Sequence, residues 1–234
     1  MINKIKIYLD GANINAIRLY KKKKFIEGFT TNPSLMRKEA VENYKSFAKK
    51  ILKIEKNKPI SFEVFADSLE EMKKQAIEIS SWGKNVFVKI PITNTKGDKT
   101  YKLINELNGM GIKCNITAIF TYNQFKEVVN YNKFNVNNIL SVFCGRIADT
   151  GIDPLTSLKK MKKLIINKKN FELLWASPRE IFNIIQAQNV GCDIITVPYS
   201  MLPKLKLFGK NLNKYSLETV KTFYTDAKKS KYQI

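Results

Sequence analysis

Eight short runs rich in branched and aromatic residues recur along the sequence: IKIYLD (5–10), GFTTN (28–32), ISFEVF (60–65), NVFVKIP (85–91), KCNITAIF (113–120), ILSVFCG (139–145), FELLWAS (171–177) and DIITVP (193–198). Each except the last leads into a stretch with apolar residues at helical spacing. Examples are Met72, Ala76 and Ile79 in SLEEMKKQAIEISSW, and Ile181, Ile184 and Ile185 in SPREIFNIIQAQ. Strand then helix, eight times over, predicts an α/β chain folded as a (β/α)8 barrel of the TIM type. The 234 residues suit one such barrel, for which about 250 is usual. The predicted organisation is therefore a single domain over 1–234. Two further helices, around 200–208 and 216–229, form a C-terminal extension from about residue 200. No linker, low-complexity segment or solenoid repeat interrupts the pattern.

Inward-facing positions alternate along a barrel strand, and the groups that do chemistry stand at the strands' C-terminal ends. The last inward-capable polar residues of the runs are Asp10, Asn32, Glu63, Lys89, Asn115 with Thr117, Ser141, and Ser177. Asn115 and Thr117 are two apart and share a face, while Cys114, Ile116 and Ala118 take the other. Seven strands thus send polar groups to one rim.

Lys89 is the most unusual of these, because VFVKIP (86–91) is otherwise apolar. One reading is a buried ion pair with Glu63 or Asp10. The other is a nucleophile. Burial disfavours the ammonium and lowers a lysine pKa from about 10.4, and a neutral amine attacks a carbonyl to form a Schiff base, which acts as an electron sink.

Composition narrows the chemistry. Histidine is absent, which removes Ser-His-Asp and Cys-His nucleophile activation and the commonest transition-metal ligand. Carboxylate, lysine, tyrosine or water must carry any catalysis, and no metal or other cofactor is expected. Cys114, Cys144 and Cys192 are odd in number and far apart in sequence, so they read as buried reduced thiols. The N-terminus passes straight into an alternating strand, and no apolar run approaches 18 residues, so a cytoplasmic protein without a membrane partner is expected.

The net charge of +21 points to nucleic acid, a membrane surface or an anionic substrate. Lysines are spread along the chain, with short runs at 21–24, 159–163 and 168–169 on segments that read as helix exteriors or turns. No nucleic-acid motif accompanies them. They read as solvated faces of a Lys-, Ile- and Asn-rich composition, with no nucleic-acid partner.

The segments LDGANINAI (9–17), FTTNPSL (29–35), FEV (62–64), VKIP (88–91), NITAIF (115–120), SVFCGR (141–146), ASPR (176–179) and GCDIITVP (191–198) together resemble the transaldolase family, in the small-subunit branch that includes fructose-6-phosphate aldolase. The resemblance runs from about residue 5 to 200, in order. It implies that Lys89 forms a Schiff base with the C2 carbonyl of a ketose phosphate. Asp10 takes the C4 hydroxyl proton as the C3–C4 bond breaks, Glu63 and Thr117 hold a catalytic water, and Asn32, Asn115 and Ser141 bind the dihydroxyacetone unit. It also implies that Arg146, Arg179 and Ser177 bind phosphate. Only four of the 41 basic residues are arginines, and two of the four fall here. A guanidinium fork suits phosphate better than an ammonium does.

Within the family, Gln and Tyr surround the water in the aldolase branch, and Glu and Phe in the transaldolases. Glu63 and Phe143 favour the latter. The expected activity transfers dihydroxyacetone from sedoheptulose 7-phosphate or fructose 6-phosphate to glyceraldehyde 3-phosphate or erythrose 4-phosphate, in the non-oxidative pentose phosphate pathway. The alternative is an aldolase that releases free dihydroxyacetone. Gly11, Val142 and Pro178 depart from the family pattern, and Pro178 is placed to re-aim Arg179. The resemblance further implies homo-oligomers, pentamers or decamers, in which the C-terminal helix reaches a neighbour. Leu217, Val220, Phe223 and Tyr224 share one side of that helix, which serves equally for packing on its own barrel.

Overall fold

A computed structural model describes residues 5–230. In chain order the elements are β1 (Lys6–Asp10), α1 (Ile14–Tyr20), β2 (Ile26–Thr30), α2 (Pro33–Lys38), α3 (Tyr44–Ile54), β3 (Ile60–Glu63), α4 (Leu69–Ser80), β4 (Val86–Pro91), α5 (Tyr101–Gly109), β5 (Cys114–Ile119), α6 (Tyr122–Tyr131), β6 (Asn138–Val142), α7 (Cys144–Ala148), α8 (Leu155–Ile165), β7 (Phe171–Trp175), α9 (Asn183–Asn189), β8 (Ile194–Pro198), a 3₁₀ turn (Leu202–Leu207) and α10 (Leu212–Ser230). Every strand pairs in parallel with the next, and β8 pairs with β1, closing the barrel. The predicted (β/α)8 barrel is the observed one.

Alternation divides the apolar residues between two cores. Outward side chains such as Leu9, Phe62, Val88, Ile116 and Leu173 pack under the helices, against Ile51, Met72, Phe125 and Leu158. Inward side chains form a smaller plug of Tyr8, Phe87, Ile139, Leu174 and Ile194. Tyr8 fits because its neighbour on β2 is Gly28, where an added methyl would lie 2.5 Å from the ring. Gly28→Ala is therefore expected to destabilise the fold by about 1–3 kcal/mol through overpacking, measured by urea unfolding. Below the plug Lys6 meets Glu172 at 2.6 Å. Above it lies the polar layer.

Several elements end earlier than their sequence pattern predicts. The second run stops as a strand at Thr30, because Pro33 favours a helix start and Asn32 caps it, Oδ1 accepting from the Leu35 amide at 2.9 Å. β6 ends at Val142 and β7 at Trp175, and Cys144 opens α7. The helix predicted from SPREIFNIIQAQ starts only at Asn183, whose Oδ1 accepts from the amides of Arg179 and Glu180 and holds the preceding residues in a turn. The segment around 200–208 is a 3₁₀ turn, and the last helix spans 212–230. No residue of α10 is buried, so it does not pack on its own barrel. Residues 231–234 of the predicted extension lie outside the described residues.

Candidate active site

Strand register brings the central groups to one level. On β3, β4 and β5, Glu63 pairs with Lys89, and Lys89 with Asn115. Lys89 is only 7% exposed. Its Nζ lies 3.1 Å from Glu63 Oε2 and donates to the Thr31 carbonyl at 3.4 Å. The lysine is thus buried against the Glu63 carboxylate, one of the two partners the sequence offered it. Tyr44 holds the end of β3 in place, its hydroxyl donating to the Glu63 carbonyl at 3.0 Å while its ring packs on Phe62, Phe65 and Trp82.

Asp10 ends β1, with Oδ1 accepting from the Thr30 hydroxyl at 2.7 Å. Burial raises its pKa above the ordinary carboxylate value. The Lys89 charge and the Thr30 hydrogen bond oppose that rise, and the Glu63 charge adds to it. Its proton affinity is therefore set mainly by lost hydration.

Across the barrel, the Ser141 hydroxyl donates to Asn115 Oδ1 at 2.6 Å, and Asn115 Nδ2 donates to Ser61 Oγ at 2.9 Å. This chain fixes which way the buried Asn115 amide points and leaves one of its N–H groups uncommitted. Thr117 Oγ1 is buried and has no protein partner among the described residues, so it is open to a substrate oxygen or a water. Asn32 caps α2 through its oxygen, which leaves its NH₂ facing the same cavity.

That cavity, about 90 Å³, is lined by Asp10, Asn32, Lys89, Asn115, Thr117, Ser141, Phe143, Arg146 and Ser177, among others. Glu63 meets it through Lys89. Phe143 caps α7 and lies under the exposed Arg146, whose Cζ is 5.1 Å from the ring. Ser177 adopts a left-handed backbone, φ 61°, and its carbonyl presses on Gly145, where a methyl would come within 1.6 Å. Glycine is therefore required at 145, and the contact sets Arg146 beside Ser177 at the rim.

Arg179 is placed elsewhere. Its Nε donates to both carboxylate oxygens of Asp149, at 2.9 and 3.1 Å, and Nη2 also bonds Asp149. It lines a different cavity, beside Trp175 and Asn183, and not the one around Lys89. The guanidinium holds the Asp149 pKa below its usual value.

Thr30 and Ser61 are site residues that the sequence analysis did not single out. Each precedes a chosen residue by two positions, so the same alternation that selected Asn32 and Glu63 would have found them. Together the groups place an amine, two carboxyl groups and uncommitted hydroxyl and amide donors around one buried point, with a guanidinium at the mouth. Such an arrangement is equipped to attack a carbonyl, move protons on either side of it and hold an anionic substituent.

Comparison with known proteins agrees. Residues 7–234 match the family model for transaldolase/fructose-6-phosphate aldolase. A probable transaldolase of Methanococcus vannielii is 33% identical over 215 residues, covering 92% of this chain and 94% of that protein. One from Thermoanaerobacter is 35% identical over 202 residues, 86% of this chain and 89% of the other. Among solved structures, the tryptophan synthase α subunit of Campylobacter jejuni superposes with a TM-score of 0.56 at 14% identity, covering 90% and 92% of the two chains, a likeness of barrel fold alone. The chain belongs to the transaldolase/fructose-6-phosphate aldolase family.

Proposed function

We propose that the protein is a transaldolase that carries a dihydroxyacetone unit on Lys89, from sedoheptulose 7-phosphate or fructose 6-phosphate to glyceraldehyde 3-phosphate or erythrose 4-phosphate. The observation that carries this reading is the buried Lys89–Glu63 pair, 3.1 Å apart, on a cavity that Asp10 and Thr117 also line.

Glu63 takes a proton from Lys89, and the free amine adds to the ketose C2 carbonyl. Loss of water, with protons passed through Glu63 and a water held at Thr117, gives the protonated Schiff base. Ionised Asp10 then removes the C4 hydroxyl proton. The C3–C4 electron pair flows into the iminium, an aldose phosphate leaves, and an enamine stays on Lys89. Reversal with an acceptor aldehyde, followed by hydrolysis, releases the new ketose. The Ser141–Asn115–Ser61 chain and the Asn32 amide hold the three-carbon unit.

At the mouth, Arg146 with Ser177 is assigned to the substrate phosphate. Arg179 is engaged by Asp149 and is assigned a smaller share. Arg146→Ala is expected to raise KM for fructose 6-phosphate by about tenfold to a hundredfold, the scale of one charge-assisted contact. Arg179→Ala should raise it several-fold less. Equal effects in steady-state kinetics would contradict this division.

Glu63 and Phe143 favour transfer over release, since the transaldolases carry Glu and Phe around the catalytic water where the aldolase branch carries Gln and Tyr. The test is fructose 6-phosphate consumption with and without erythrose 4-phosphate. Turnover that depends on the acceptor supports a transaldolase, and substantial acceptor-free release of dihydroxyacetone makes the protein an aldolase.

Among the described residues no helix is long and apolar enough to cross a membrane. We assign the enzyme to the cytoplasm, where sugar phosphates are interconverted, and to a homo-oligomeric ring of five or ten copies. Support for assembly comes from α10, whose Val220, Phe223 and Tyr224 are each 59% exposed or more. A neighbouring copy is assigned to that face. Val220→Glu/Phe223→Glu is expected to convert the oligomer to monomers in sedimentation velocity, and an unchanged species would refute the assignment.

A further inference from the structure

The charge that sequence alone leaves as a compositional background is unevenly placed on the fold. Seven turns lead from a helix into the next strand: 21–25, 55–59, 81–85, 110–113, 132–137, 166–170 and 190–193. They carry eleven lysines, no arginine and two acids, Glu55 and Asp193. The eight segments that leave the strands (11–13, 31–32, 64–68, 92–100, 120–121, 143, 176–182 and 199–201) carry three basic and three acidic residues. A lysine-rich composition by itself loads both ends alike. Barrel topology gathers the first set onto one face, at the N-terminal ends of the strands and opposite the Lys89 cavity.

The turn lysines are not neutralised by ion pairing. Eight of the eleven lysines are exposed, and among the described residues none of the eleven pairs with a carboxylate. The three that are partly covered, Lys21, Lys58 and Lys113, donate to main-chain carbonyls. The two acids are engaged internally. Glu55 is buried and accepts from the amides of Asn57 and Lys58, and Asp193 is held by Lys162.

Bulky apolar side chains stand among these lysines. Phe25 is 41% exposed, Met110 53%, Phe134 41% and Ile166 68%, each in a different turn of the same ring. We propose that this face docks on an anionic lipid surface, the lysines meeting headgroup phosphates while the four apolar side chains enter the interface. A nucleic-acid backbone presents similar charge. Apolar groups on four separate turns suit a lipid plane better than a strand, and the face has no arginine to fork onto phosphodiesters. Docking leaves the catalytic mouth facing away from the membrane.

The test is co-sedimentation of the full chain with vesicles of phosphatidylcholine, alone or with about 30 mol% phosphatidylglycerol. Binding is expected only with the anionic vesicles and should weaken between about 0.1 and 0.5 M salt. The variant Lys22→Glu/Lys23→Glu/Lys168→Glu/Lys169→Glu should lose about a thousandfold or more in partitioning with unchanged turnover. Phe25→Ser/Ile166→Ser should lose about tenfold, and Lys96→Glu/Lys204→Glu on the other face should lose nothing. Three outcomes overturn the proposal: equal or absent binding to both vesicle types, full binding by the quadruple variant, or displacement by RNA at equal phosphate together with full binding by Phe25→Ser/Ile166→Ser. The last would assign the face to nucleic acid.

Discussion

Lys89→Arg is expected to lower transaldolase turnover by about 10⁴-fold or more while leaving the protein folded. The substitution separates the two roles open to a buried lysine. Arginine keeps a positive charge facing Glu63, which lies 3.1 Å from Nζ in the parent, and so keeps the pairing that a merely structural lysine would supply. A guanidinium stays protonated and does not add to a carbonyl. Retention of more than about a tenth of the activity would make Lys89 an architectural group. The companion Glu63→Gln keeps the nucleophile and removes the proton acceptor, so it should slow Schiff-base formation by about 10²-fold without abolishing it.

Asp10→Asn is expected to cost about 10²- to 10⁴-fold in turnover, the range for removal of a general base, and to do so at one step. The amide still accepts from the Thr30 hydroxyl, which lies 2.7 Å from the parent carboxylate, so the local structure is kept. In the proposed mechanism Schiff-base formation does not use this residue. The variant should therefore load fructose 6-phosphate onto Lys89 and release little aldose. The pH profile gives a second readout. As the proposed base for the C4 proton Asp10 must be ionised, and burial raises its pKa above the usual carboxylate value. Activity of the parent should accordingly fall on acidification at a pH above about 3.9, the ordinary midpoint. That acid limb should vanish from the residual activity of Asp10→Asn. A variant that neither accumulates the adduct nor loses the limb would remove Asp10 from the bond-breaking step.

The barrel was legible because periodicity switches eight times between strand and helix spacing, a signal carried by dozens of residues. Inward alternation then placed Asp10, Lys89, Asn115, Thr117 and Ser141 on one cavity. Where strands stop was less legible, because capping decides it. Asn32 is in the cavity as the cap of α2, through Pro33, and not as the last residue of a strand. Thr30 and Ser61 obey the same alternation as their neighbours, but only the partners seen in three dimensions reveal what they orient.

Arg179 shows a further limit. The family resemblance implies a phosphate ligand there, yet Asp149, thirty residues earlier, engages the guanidinium. A long-range competitor of that kind leaves no local trace in sequence. The lysine runs at 21–24 and 168–169 likewise look dispersed until the fold sets both on one face.

The proposed activity depends on a covalent bond between Lys89 and a ketose carbon, and borohydride reduction in the presence of fructose 6-phosphate tests it directly. Peptide mass mapping should place the reduced adduct on Lys89 alone, with none when sugar or borohydride is omitted. An adduct on any other lysine, or an active enzyme that yields none, would contradict it.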